Sequence, residues 1–121
     1  MPNTRKTIPA TFTDLAAALG SRDRRTVCNN TTVETLHNGA IAVALHGHRL
    51  AEFYPSGNVW VCDAGYVTTT TYDRLKRLVA PLGATVFRRH GVGYVRTRDG
   101  ETLPLTGGIV RFRPDGTAFV A

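Results

Sequence analysis

Cysteine is scarce: only Cys28 and Cys62 occur in 121 residues, too few for a disulfide framework. Both are expected as reduced, small, buried hydrophobes; a bridge between them or a shared metal site is the alternative. No apolar run approaches the roughly 20 residues that cross a bilayer, and the opening MPNTRKTIPATFTDLAAALG lacks the continuous apolar core of a signal peptide. A cytoplasmic protein with no membrane partner is therefore expected. The sequons at Asn29 and Asn30 carry no meaning without secretion. Close acid pairs of the kind glycosidases and nucleases use are also missing, since Glu52 and Asp63 stand alone. There is no CxxC, no HExxH and no readable Ser-His-Asp spacing, so the chain is read as non-enzymatic, with no metal and no cofactor.

What is abundant is arginine. Thirteen arginines and two lysines face nine acids, for a formal charge of +6 and a pI near 10.0. Such a surplus suggests an anionic partner, with DNA or RNA first. The alternative is arginine-rich codon usage in a GC-rich genome, with nothing anionic bound. A hydrophobic fraction of 42% against 20% charged is that of one globular core, large enough to bury roughly two-thirds of the unfolded surface.

The periodicity predicts an α+β fold: antiparallel β-meanders packed on one central helix, with a short N-terminal helix. Residues 1–25 form an N-terminal arm and short helix, and residues 26–121 form a single α+β domain. The arm, Met1 to about Pro9, carries Arg5 and Lys6. Thr11 and Asp14 make a capping pair for a helix ending at Gly20, with Leu15, Ala16 and Leu19 inward. Ser21 to Arg25 reads as a charged connector. Strands are expected at Val33–Leu36, Ala40–His46, Arg49–Tyr54 and Asn58–Cys62, with Asn38-Gly39 as a hairpin turn.

The central helix follows the threonine run Thr68 to Thr71. Tyr72, Leu75, Leu78, Val79 and Leu82 share one stripe, Thr70 with Asp73 is the expected capping box, and Pro81 and Gly83 end the element. Strands then resume at Ala84–Arg89 and Val92–Arg98, joined around His90-Gly91. Further strands are expected at Glu101–Leu105, Ile109–Arg113 and Thr117–Val120.

Two constellations are candidates for binding anions. The helix start, preceded by Gly65, offers free amides and the hydroxyls of Thr68, Thr69, Thr70 and Thr71, with Arg74 one turn in, a phosphate-type arrangement. Arg77, near the helix C-terminal end, joins Arg74 and the strand arginines in the nucleic-acid reading. The alternative is that one threonine caps and the rest continue a strand. On the later strands Tyr94, Arg96 and Arg98 share a face, as do Arg111 and Arg113. Arg88 joins if its strand pairs in register. An aromatic ring among guanidiniums on a sheet suits stacked bases; an ordinary solvated face with Val95, Val110 and Phe112 inward is the alternative. His46 and His48, with His37 or a cysteine, have metal-ligand chemistry, but Gly47 marks them as turn residues and a packed or surface role is expected.

The segments NNTTVETL, AIAVALHGHRLA, GNVWVCDAGYVTTTTYDRLKRLV and VFRRHGVGYV resemble a family of small proteins encoded by actinobacterial phages, mycobacteriophages especially, and by prophages. The shared features fall on Asn30 and Thr31, Leu45 and His46, Gly65 and Tyr66, then Thr68, Thr70, Thr71 and Arg74, over roughly residues 28 to 105. Tyr66 stands where tryptophan is usual, Lys76 where asparagine is, and His48 where threonine is; the C-terminal RFRPDGTAFVA looks like an addition. The resemblance implies a phage protein of no established activity acting in the host cytoplasm. A nucleic-acid-binding accessory protein is the expected role, and a module that binds and modulates a host protein is the alternative. Exposed strand edges also allow a homodimer.

Overall fold

The computed structural model describes residues 8–121, so the Arg5-Lys6 pair of the expected arm lies outside the described residues. Ile8 is already buried in the core. Helix α1 spans Phe12–Leu19 and begins as its capping pair predicts, with the Asp14 amide donating to Thr11 Oγ1 at 3.1 Å. Leu15 and Leu19 are its buried residues, and it packs on the first three strands of the large sheet.

That sheet has seven antiparallel strands. Five run as a meander: β1 (Arg24–Cys28), β2 (Thr31–Thr35), β3 (Ile41–Leu45), β4 (His48–Phe53) and β5 (Val59–Val61). Strand β1 takes in Arg24 and Arg25, the last two residues of the expected connector. Its arginines are exposed because it is an edge strand, where charge is tolerated and discourages further pairing. Arg25 ties it to α1 by donating to the Ala18 carbonyl at 2.7 Å. The turn between β3 and β4 is the pair His46 and Gly47, at φ 52° and 82°. Two successive left-handed residues are what a two-residue type I′ hairpin requires, which fixes both histidines as turn and strand-start residues.

The chain then leaves the sheet for α2 (Thr69–Val79), a 3₁₀ turn (Ala80–Leu82), and a separate sheet of β6 (Thr85–Arg89), β7 (Val92–Arg96) and β8 (Thr102–Pro104). It returns as β9 (Val110–Phe112), which pairs with β5, and β10 (Ala118–Val120), which forms the far edge. The fold is mixed α+β, as expected, and both sheets are antiparallel. The expectation of two meanders on one central helix is corrected in two respects. The last two strands complete the first sheet instead of the second, and two helices contribute buried leucines to the core.

Register explains the core. Val33, Val43, Ala51, Val61 and Val110 are cross-strand partners in one line, all on the inner face. Leu75, Leu78 and Val79 of α2 belong to the same buried cluster, with Leu82 only half-buried past the helix end. Asp63, 1% exposed, follows β5 and joins the layers. Its Oδ2 accepts from the Tyr72 hydroxyl at 2.8 Å and from Thr106 Oγ1 at 3.0 Å, while its Oδ1 accepts from the Gly65 amide at 2.9 Å. A buried carboxylate with three donors is a satisfied one.

Candidate nucleic-acid interface

The outer face of the small sheet is set by hairpin arithmetic. His90 and Gly91, at φ 54° and 76°, form a two-residue turn, so Arg89 pairs with Val92, Phe87 with Tyr94 and Thr85 with Arg96. Cross-strand partners share a face. Phe87 and Tyr94 therefore stack, with centroids 5.4 Å apart and planes at 23°. The guanidiniums of Arg89 and Arg96 lie 5.7 and 5.5 Å from the Phe87 centroid. Both arginines are exposed, and among the described residues neither is in an ion pair. Val86 and Val95 occupy the opposite, buried face.

Two expected members, Arg88 and Arg98, are corrected and two are added. Arg88 pairs with Gly93 and points to the other side, where it lies over the Tyr72 ring at 5.9 Å and donates to Thr69 Oγ1 at 3.1 Å. Phe87 and Arg89 take part instead, and counting pairs outward from the His90-Gly91 turn would have found both. Arg98 lies beyond the end of β7, where β-carbons built on Gly83 and Gly116 would each sit 3.2 Å from its side chain. It is thus separated from Tyr94 and Arg96.

The helix start differs from expectation as well. The cap is Thr68, whose hydroxyl oxygen accepts from the Thr71 amide at 3.2 Å, and not Thr70. Asp73 does not close a capping box; it pairs with Arg74 at 2.7 Å and Arg77 at 3.2 Å. Arg74 is further engaged by Thr31 Oγ1 at 3.0 Å and the Asn29 carbonyl at 3.4 Å. Thr71 is buried, while exposed Thr70 lines a pocket of 390 Å³ with His46, His48, Tyr66 and Thr68. His48 and Tyr66 are in ring contact at 4.5 Å. Among the described residues no group of three or more His, Cys, Asp or Glu side chains gathers to hold a metal.

Arg111 and Arg113 belong to the large sheet. Glu52, Trp60, Arg111 and Phe119 are successive cross-strand partners on its outer face. Arg111 lies 3.8 Å over the Trp60 ring and Arg113 4.6 Å over Phe119. The predicted arginines thus divide among the two sheet faces and α2.

Tyr72 and Cys62 are among the titrating groups that are displaced. The Tyr72 hydroxyl is pushed far above its ordinary range by burial and by the hydrogen bond to Asp63. Burial likewise raises the Cys62 thiol. Cys28 and Cys62 are free and half-buried, less enclosed than expected.

The family model described as Kyanoviridae Gp96 protein matches residues 9–111, and the chain belongs to that phage family. No curated protein matches the chain, and no solved structure does. The phage origin implied by the motifs stands at this level, but the matching family is one of cyanophages, which corrects the actinobacterial placement. The match ends on Arg111, the first residue of the RFRPDGTAFVA segment.

Proposed function

We propose that this member of the Kyanoviridae Gp96 family binds single-stranded nucleic acid across the outer face of β6, β7 and β8, as an accessory protein in the host cytoplasm. The observation that carries the reading is the Phe87–Tyr94 stack flanked by Arg89 and Arg96. The two rings are half-buried; aromatic rings on a sheet face receive bases without regard to sequence, and neighbouring guanidiniums meet the phosphates. The net charge of +6 favours encounter with a polyanion.

Binding rather than catalysis is the mode we infer. Asp63, the buried carboxylate among the described residues, spends its oxygens on Tyr72, Thr106 and Gly65. Both oxygens are thus engaged inside the protein.

The test is fluorescence anisotropy with labelled single-stranded DNA and RNA of mixed sequence over a salt series. Affinity should fall as salt rises, and Phe87→Ala or Tyr94→Ala should weaken binding by about 1–3 kcal/mol per lost base stack. Absence of any shift at low salt, or wild-type affinity in both variants, would rule the reading out. A second reading draws on Phe119 and Val120, which are 39% and 43% exposed on edge strand β10. A host protein adding a strand there would be insensitive to Phe87→Ala.

A further inference from the structure

We propose that the pocket on the outer face of the large sheet, between Trp60, Arg111 and Arg113, binds a base carrying a terminal phosphate, either a free mononucleotide or the phosphorylated end of a strand. The proposal rests on the large sheet alone and is independent of the role given to the small one.

Four observations converge there. First, the pocket measures 360 Å³ and is lined by Asn58, Trp60, Arg111, Arg113, Pro114 and Phe119 along with Phe112. That is the low end of the roughly 300–1,000 Å³ of small-ligand sites, the size for one nucleotide.

Second, Arg111 is an under-satisfied cation. Its Nε is buried with no hydrogen-bond partner, and among the described residues no acceptor meets its terminal nitrogens. A buried N–H without an acceptor carries a desolvation cost, and the half-buried guanidinium keeps its terminal donors for an arriving anion. Asp115, whose Oδ1 accepts from both the amide and the hydroxyl of Thr117, interacts with the charges of Arg113 and Arg98.

Third, Arg113 is held at the rim. It donates to Thr117 Oγ1 at 3.2 Å and lies over Phe119, leaving its other donors free. Two guanidiniums suit a phosphate monoester of charge about −1.5 to −2 better than a single carboxylate.

Fourth, the register sets ring, guanidinium and ring in a row, Trp60, Arg111, Phe119, on adjacent strands. A guanidinium 3.8 Å over an indole and lining the pocket can stack a base on its other side, and the Asn58 amide carries both donor and acceptor for a base edge.

Trp60 is the only tryptophan in the chain, so its fluorescence reports on this pocket. AMP and a 5′-phosphorylated tetranucleotide are each titrated at low salt. Saturable quenching by at least one is expected, and which one saturates identifies the source. Adenosine and inorganic phosphate should each bind at least about tenfold more weakly, since each lacks one half of the recognition. Arg113→Gln, at an exposed position, should weaken AMP or the tetranucleotide about tenfold while leaving the unliganded Trp60 emission unchanged. Arg111→Gln should weaken it further, with circular dichroism checking the fold. No saturation by either ligand at millimolar concentration, equal binding of adenosine, or wild-type affinity in Arg113→Gln overturns the proposal. Should Arg111→Gln unfold, Arg113→Gln alone decides.

Discussion

Tyr72 donates its hydroxyl hydrogen to Oδ2 of Asp63 across 2.8 Å, in the buried layer between the helix and the end of β5. The same oxygen accepts from Thr106, whose Oγ1 also accepts from the Gly93 amide at 2.7 Å. One carboxylate thus joins the large sheet, α2 and the small sheet. The ring lies so close to β7 that a β-carbon on Gly93 would overlap the Tyr72 hydroxyl.

Tyr72→Phe therefore leaves a buried acceptor short of a donor and should cost about 1–3 kcal/mol in urea unfolding. Gly93→Ala should cost at least as much by steric overlap. The double variant should be less destabilised than the two single costs added, because both act at one contact. Strict additivity would show that the two residues do not meet.

The displaced Tyr72 hydroxyl gives a pH dependence with a definite sign. Its pKa in the folded protein lies above the ordinary 10.0, through burial first and the Asp63 hydrogen bond second. Unfolded chains therefore release this proton at lower pH than folded ones. The stabilisation is complete below about pH 10 and is lost as pH rises beyond that. The advantage of the wild type over Tyr72→Phe should be constant from neutral pH to about pH 10 and shrink at about pH 11. An unchanged difference at both would remove the raised pKa from the account.

How much of this could be read from the chain follows from how local each feature is. The helix α2 declares itself through Tyr72, Leu75, Leu78 and Val79, because a 3.6-residue period is visible within a dozen positions. The Phe87–Tyr94 pairing was also within reach, since a two-residue turn at His90-Gly91 fixes it. Strand β1 was hidden because Arg24 and Arg25 carry edge-strand charge where an alternating pattern would otherwise show. The Arg111–Trp60 stack was out of reach. It depends on β9 crossing back to β5, and nothing in either segment's periodicity encodes a partner so far along the chain.

The same locality misplaced the helix cap by two residues within the threonine run, and the correction is testable. Thr68→Ala should cost about 1 kcal/mol through loss of the bond from the Thr71 amide, whereas exposed Thr70→Ala should stay within a few tenths. Thermal unfolding of the two variants side by side reads the difference. A larger loss at Thr70 would move the cap back.

Arginines that look equivalent in the sequence should separate into two functional kinds. Arg74 has a side chain only 12% exposed, donates to Thr31 and to the Asn29 carbonyl, and pairs with Asp73. Because Thr31 is itself buried at the start of β2, Arg74→Ala strands its partners and should lower stability by about 1–3 kcal/mol. Its effect on single-strand affinity should be nil. Arg89 is exposed and lies 5.7 Å from the Phe87 ring, with no ion pair among the described residues. Arg89→Ala should therefore leave unfolding within about 0.5 kcal/mol of wild type, weaken binding, and reduce the slope of log affinity against log salt by about 0.7, the value for one single-strand phosphate contact. Urea unfolding and a salt series on both variants give four numbers. If Arg74→Ala changes the salt slope and Arg89→Ala does not, the binding face belongs at the start of α2 rather than on the small sheet.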